Sequence, residues 1–228
     1  MKTILIILSF IFFGITSSLQ AQNNRYDWGI EGGPNLSTFR VKNNPFLDAH
    51  PKIFASGGFI FQYNTKKILS FKTGFSYQRK GYQHPDLIFV DQNGNYTGKG
   101  SSVSIFDYIT LPILVKASFG QKVKFFVNAG PYAGFRLEKT DRTTLDTSEG
   151  NEIIKNHNMN GLKRWDFGFA GGIGIAVPIK ESWMVHMEVR NYYGISNIYK
   201  GSNVQYFTNT TDLRIGVVYK LGFYKDEE

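Results

Sequence analysis

The chain has 228 residues, with 26 Lys+Arg against 18 Asp+Glu, a net charge of +8, 16% aromatic residues and no cysteine. Without cysteine it can be neither a disulfide scaffold nor a protein held by a lipid-modified N-terminal cysteine. The basic residues are scattered, with no basic helix or dense run, so no nucleic-acid partner is expected.

Residues 1–21 have the layout of an export signal. Lys2 gives the positive start, Ile4 to Ile15 the apolar stretch, and Thr16 to Ala21 a small, polar end, with cleavage expected after Ala21. About twelve apolar residues are too few for a comfortable helical span. The mature domain is therefore 22–228, in which no segment offers eighteen consecutive apolar residues. An exported chain of this kind can still live in a membrane as a closed barrel. Its slightly negative mean hydropathy does not oppose this, because only alternate strand residues face lipid.

The rest of the chain repeats a period-two pattern eight times, near 26–39, 54–64, 68–79, 102–119, 123–137, 164–179, 183–193 and 210–223. The clearest copy puts Val123, Phe125, Val127, Ala129, Pro131, Ala133, Phe135 and Leu137 on one face. Lys124, Asn128, Gly130, Tyr132, Gly134 and Arg136 share the other, interrupted only by Phe126. Successive strand side chains point to opposite faces, so the segment divides an apolar medium from a polar one. At about fifteen residues it is long for a globular strand and suits a tilted membrane-spanning one. The connections at 65–67, 120–122 and 180–182 are tight, whereas those at 40–53, 80–101, 138–163 and 194–209 are long and polar. That alternation predicts an all-β, eight-stranded antiparallel up-and-down transmembrane β-barrel with both termini in the periplasm.

Energetic cost orients the faces. The polar side carries Glu31, Asp166, Glu188 and Asp212 with Lys72, Lys116, Lys124, Arg136, Arg190 and Arg214, and is otherwise rich in glycine and alanine, as a narrow interior requires. These charges can pair inside, whereas a basic residue at the bilayer midplane costs roughly 2–4 kcal/mol. Aromatic residues sort by strand end. Tyr26, Trp28, Tyr63, Phe119, Trp183, Tyr219 and Phe223 lie beside the short turns, and Tyr77, Phe135, Trp165, Phe167 and Tyr193 beside the long loops, as two interfacial girdles would.

Five stretches carry a family resemblance: 29–37 (GIEGGPNLS), 107–116 (DYITLPILVK), 128–134 (NAGPYAG), 166–174 (DFGFAGGIG) and 188–197 (EVRNYYGISN). In this order the chain resembles the PorT-like outer-membrane β-barrel family over nearly its whole mature length. The resemblance implies a small outer-membrane barrel and no particular activity, since only a few members are linked to protein secretion. The tail Tyr224–Glu228 departs from the many barrels that end on the aromatic residue itself.

Candidate chemistry is sparse. His186, Glu188 and Arg190 share the inward face of the seventh segment and could form a proton-transfer or ligand cluster. An ion-pair network with Arg214 and Asp212 on the last segment is the favoured reading, because buried charges need partners whether or not they react. A lipid-modifying enzyme needs a nucleophile and an oriented base near the bilayer surface. His50, His84 and His157 and serines such as Ser101 and Ser148 fall in the long connections without triad spacing. Asp91–Asn95 departs from a calcium loop, since its glycine is at the fourth position and Ser102 stands at the twelfth. Asn93-Gly94 fits the turn of a projecting hairpin. The glycines of 168–174 open no helix, which a phosphate site needs, and instead admit bulky inward neighbours such as Tyr108, Tyr132 or Arg190.

The expectation is thus a non-enzymatic integral outer-membrane barrel, filled by its own side chains, with no catalytic, metal or cofactor site. It serves envelope structure, surface interaction or secretion. Its partners would be outer-membrane lipids, lipopolysaccharide and surface or secretion proteins, and the barrel itself a monomer. A lipid-modifying enzyme and a narrow channel or small-ligand-binding barrel are the rival readings, and a soluble ligand-carrying barrel is a third.

Overall fold

The computed structural model describes residues 26–43, 49–65, 68–90, 96–147, 150–157, 161–180, 182–201 and 204–221. Residues 1–21, read above as an export signal, residues 91–95, Ser148 and the stretch 222–228 lie outside them. The described residues form nine strands: β1 (Tyr26–Lys42), β2 (Lys52–Asn64), β3 (Leu69–Val90), β4 (Tyr96–Phe119), β5 (Lys124–Thr147), β6 (Gly150–Asn156), β7 (Trp165–Lys180), β8 (Trp183–Gly194) and β9 (Gln205–Leu221). Every pairing among them is antiparallel. Each of β1–β5 pairs with the next, β5 pairs with β7, β7 with β8, β8 with β9, and β9 returns to β1. The ring has eight strands. β6 lies outside it, paired along the far end of β5 from Asp141↔Asn156 to Thr147↔Gly150.

The strands overrun the expected ends by more than one residue only where the long connections lie. β3 reaches Val90, β4 begins at Tyr96, β5 reaches Thr147 and β9 begins at Gln205. Above the membrane both faces leave hydrocarbon, so the apolar alternation fades while backbone pairing continues through β-prone Thr140, Thr143 and Thr144. Much of the connection 80–101 is therefore a hairpin extension, its arms paired as Leu87↔Gly100 and Val90↔Tyr96.

Exposure follows the expected inside–outside division. On β7 and β9, Ile173 and Ile215 are 65% and 56% exposed, whereas Arg214 is 0% exposed. Phe126, the break in the polar series, is buried in the lumen. The aromatic ends also meet as expected. Tyr26 packs on Tyr63, and Tyr219 on both Trp28 and Trp183, at the short-turn end; Trp165 packs on Phe135 and Phe167 at the other.

One irregularity matters for the interior. Tyr108 pairs with Arg136 but Asp107 pairs with Glu138, so Leu137 is an extra residue on β5. The bulge resets the face, and Lys139 and Asp141, opposite Phe106 and Ser104, continue the inward column that Arg136 begins.

Candidate functional site

The lumen is built in tiers. At the short-turn end, Ile60, Phe126, Ala176, Met184 and Val218 form a buried apolar plug. Beside it Lys116 Nζ lies 4.1 Å from the Phe126 ring centroid and donates to Gln62 Oε1 at 3.0 Å, while Gln62 Nε2 reaches Asp27 at 3.3 Å.

The middle tier contains His186, Glu188 and Arg190, brought together as their spacing on one strand face requires. Its centre is Glu31 of β1. Glu31 accepts from Arg214 Nη1 at 2.6 Å, Lys72 Nζ at 2.8 Å and Arg190 Nη1 at 3.0 Å, with His186 Nε2 at 3.2 Å. Glu188 takes Lys72 at 2.9 Å and Arg190 Nε at 2.6 Å, and Asp212 takes Arg214 Nε at 2.8 Å. All of these side chains are buried. Three carboxylates therefore meet three cations, with Asn128, Gln78 and Ser76 completing the hydrogen bonds. Such balance is what permits charges to persist out of water.

One atom each from Glu31, His186 and Glu188 lie within 4.8 Å of one another, a spacing that could hold a metal ion. The donor chemistry argues against that use. Lys72, Arg190 and Arg214 already occupy and neutralise the same carboxylates, so a dication would add uncompensated charge at close range.

Small residues make room for this crowding. A Cβ on Gly216 would lie 2.9 Å from Glu31 Cβ and 2.6 Å from the Ile30 carbonyl oxygen. A Cβ on Gly168 would lie 2.7 Å from the Tyr132 ring, and one on Gly172 would be 3.2 Å from Arg190 Cβ. Those three glycines serve close packing, as the sequence pattern implied for Tyr132 and Arg190.

Above the network, Tyr132 and Tyr192 pack edge to face at 5.2 Å beside Leu114 and Ala170. The buried Lys80 ammonium is caged there. It bonds Asp166 at 3.0 Å and lies 4.9 Å from the Tyr132 and 5.0 Å from the Tyr108 ring centroids. Such contacts stabilise a desolvated cation. Lys80 escaped the sequence reading because the third segment was ended at residue 79, although the inward series Ser70, Lys72, Gly74, Ser76, Gln78 simply continues to it. Uppermost, Phe39, Tyr82, Phe106, Tyr108 and Ile198 form a second aromatic plug.

Among the described residues the candidate enzyme residues form no triad. The His84 ring packs edge-on against Tyr82, and its backbone register partner is Ser102. His50 bridges to Gln83. His157 Nδ1 faces both Glu138 at 2.9 Å and Thr140 Oγ1 at 3.2 Å, so the carboxylate and the hydroxyl compete for one nitrogen rather than flanking the ring. A triad needs opposite nitrogens for those two partners.

A closed ring with an apolar exterior, aromatic girdles at both ends and a paired-charge interior defines an integral outer-membrane β-barrel protein. The family model described as "Outer membrane protein beta-barrel domain" matches residues 20–200, and the chain belongs to that family. No curated protein sequence matches it. Among solved structures it is similar to Neisserial surface protein A (12% identity, 85% of this chain and 97% of that one, TM-score 0.43). It is also similar to Ail, the attachment invasion locus protein of Yersinia pestis (12%, 86% and 99%, 0.40), and to E. coli outer membrane protein W (13%, 89% and 100%, 0.40).

Proposed function

We propose that this chain is a monomeric, non-enzymatic member of the PorT-like group, exported by cleavage after Ala21, whose working part is its extracellular extension. The observation that carries this reading is the lumen, occupied through its depth by apolar plugs and a paired ion network. Such an interior leaves no path for solute, in keeping with the width of an eight-stranded ring. What it leaves for recognition is the outer part of β3–β6 and the rim. There Arg40 stacks over Tyr193 at 3.7 Å and bonds its hydroxyl at 2.7 Å, and Arg79 pairs with Asp107 at 2.8 Å. These arginines stand just beyond the outer girdle on the lipid-facing side, a placement suited to the acidic headgroups of lipopolysaccharide. The projecting strands supply a rigid platform for surface or secretion proteins.

The test is direct. Purified protein in planar bilayers should give no reproducible unitary conductance, and incubation with phospholipid and lipopolysaccharide should leave both unchanged by mass spectrometry. Removing the outer ends of β3–β6 should preserve heat-dependent gel mobility while abolishing any surface-interaction or secretion phenotype. Regular conductance steps or lipid turnover would overturn the reading.

A further inference from the structure

At the extracellular mouth the filled lumen opens into a cavity of about 130 Å³, lined chiefly by Phe39, Tyr82, Phe106, Tyr199, Tyr206 and Lys139. Apolar cavities of roughly 150 Å³ accept a single benzene ring, so this one has room for about one six-membered ring. At its edge Lys139 is neutralised by Asp141 at 2.5 Å.

The tier beneath is not neutralised. Tyr108 belongs to the same buried cluster as Phe39, Tyr82 and Phe106, and it pairs in register with Arg136, one inward step below Phe106 and Lys139. Arg136 is 2% exposed, and its Nη2 donates to the carbonyl of Leu162, itself a cavity-lining residue, at 3.4 Å. Its Nε and Nη1, and the Tyr108 hydroxyl, have no hydrogen-bond partner among the described residues. Among the described residues the other buried charges have an opposite charge paired with them or one side chain away. Glu31, Glu188 and Asp212 balance Lys72, Arg190 and Arg214; Asp166 balances Lys80; and Lys116 is linked to Asp27 through Gln62. No ion pair to Arg136 occurs among the described residues. Water can satisfy an N–H group, yet it brings no charge, and an arginine does not shed its proton. The missing partner is an anion.

We propose that the extracellular mouth binds a small cyclic or aromatic carboxylate, its ring lying in the cavity against the packed face of Phe39, Tyr82 and Phe106. Its carboxylate is drawn to Arg136 and the Tyr108 hydroxyl, which lie directly beneath the cavity and are uncovered as the ligand enters. The Arg136 guanidinium meets a planar, bidentate acceptor through one of its two forks, Nη2 with either Nε or Nη1, the Nη2 group turning its second hydrogen from the Leu162 carbonyl to the anion. The tyrosine adds a third donor. The rings above supply flat apolar walls. The site depends only on the mouth, so it stands whether or not the outer strands dock a protein.

The experiment uses the full mature chain refolded in detergent micelles and three probes followed by calorimetry or NMR: benzoate, its neutral analogue benzyl alcohol, and acetate. Saturable benzoate binding is expected, at least about tenfold tighter than either other probe, because each lacks one half of the recognition. Arg136→Gln should remove the preference for benzoate over benzyl alcohol, and Tyr108→Phe should weaken benzoate about three- to tenfold. Without ligand, Arg136→Met should be as stable as the parent or more so, since it removes an uncompensated charge. Equal binding of benzoate and benzyl alcohol, acetate binding as tightly as benzoate, or no saturable binding would overturn the proposal. So would indifference of benzoate to Arg136→Gln, or a marked loss of stability in ligand-free Arg136→Met, which would mean that the arginine has a counter-ion within the fold.

Discussion

Replacing Glu31 by glutamine keeps the shape of the side chain and removes its charge, leaving three cations facing two carboxylates in the middle tier. The substituted side chain can still accept through its carbonyl oxygen. Its amide group, however, would point donor hydrogens at one of Lys72, Arg190 or Arg214, which now hold the Glu31 oxygens at 2.6–3.0 Å. Breaking one partner out of a buried ion network costs about 3–5 kcal/mol, a large fraction of the roughly 5–15 kcal/mol that holds a typical domain together. The double variant Glu31→Gln/Lys72→Met tests whether charge balance is the cause. Among the described residues the Lys72 ammonium bonds Glu31 and Glu188, and Glu188 keeps Arg190 and Asn128 without it. The double variant restores two carboxylates against two arginines. It should recover at least about 2 kcal/mol relative to the sum of the single effects, within the range measured for directly coupled residues. The assay is reversible urea unfolding in lipid vesicles, followed by the fluorescence of Trp28, Trp165 and Trp183. A loss below about 1 kcal/mol for Glu31→Gln, or strict additivity in the double variant, would refute an electrostatic role for the network.

Two further predictions separate medium from contact. Ile173 and Ile153 are similarly exposed, at 65% and 61%, but the first faces hydrocarbon and the second lies on β6 above the membrane. Ile173→Arg should cost roughly 2–4 kcal/mol and Ile153→Arg less than about 0.5, by the same unfolding assay. Equal costs would mean that the two surfaces meet the same solvent. Gly216→Ala should cost about 1–3 kcal/mol, because its Cβ would meet the Ile30 carbonyl at 2.6 Å and Glu31 Cβ at 2.9 Å. Gly171→Ala, where the nearest atom is Asn128 O at 3.6 Å, should be nearly neutral and serves as the control.

The membrane-spanning part was legible because each strand face reports a different medium. Val123 to Leu137 reveals its two environments without any partner strand being known. The same logic fails where the medium is the same on both sides. β6 carries Ile153 and Ile154 as adjacent residues, both exposed, and neither alternation nor length distinguishes it from a loop. The bulge at Leu137 was hidden for a related reason: Leu-Glu-Lys-Thr scans as polar alternation in either register, and only pairing with β4 reveals the extra residue. For the interior, sequence names the inward residues but not their height or their partner across the lumen. His186, Glu188 and Arg190 could be grouped because they share a strand. The central role of Glu31 required the register of β1 against β9 and the reach of Lys72 from β3.

That register also explains where the network sits. The seam between the first and last strands pairs continuously from Tyr26↔Leu221 to Gly32↔Ile215 and resumes at Asn35↔Asp212. Between them lie Gly33 and Pro34, and proline has no N–H to give to a ladder. The interrupted stretch faces Leu213 and Arg214. At this level Arg214 of β9 reaches Glu31 of β1 at 2.6 Å, and Ser56 of β2 reaches Asp212 at 3.2 Å. Side chains thus bridge the seam where the backbone pairing lapses, drawing on β1, β2, β8 and β9. These contacts can form only when the two ends of the chain have met, so their free energy is withheld from any open sheet and released on closure. A network of this kind favours the closed ring over its partly zipped precursors more than the same contacts between neighbours along one hairpin would.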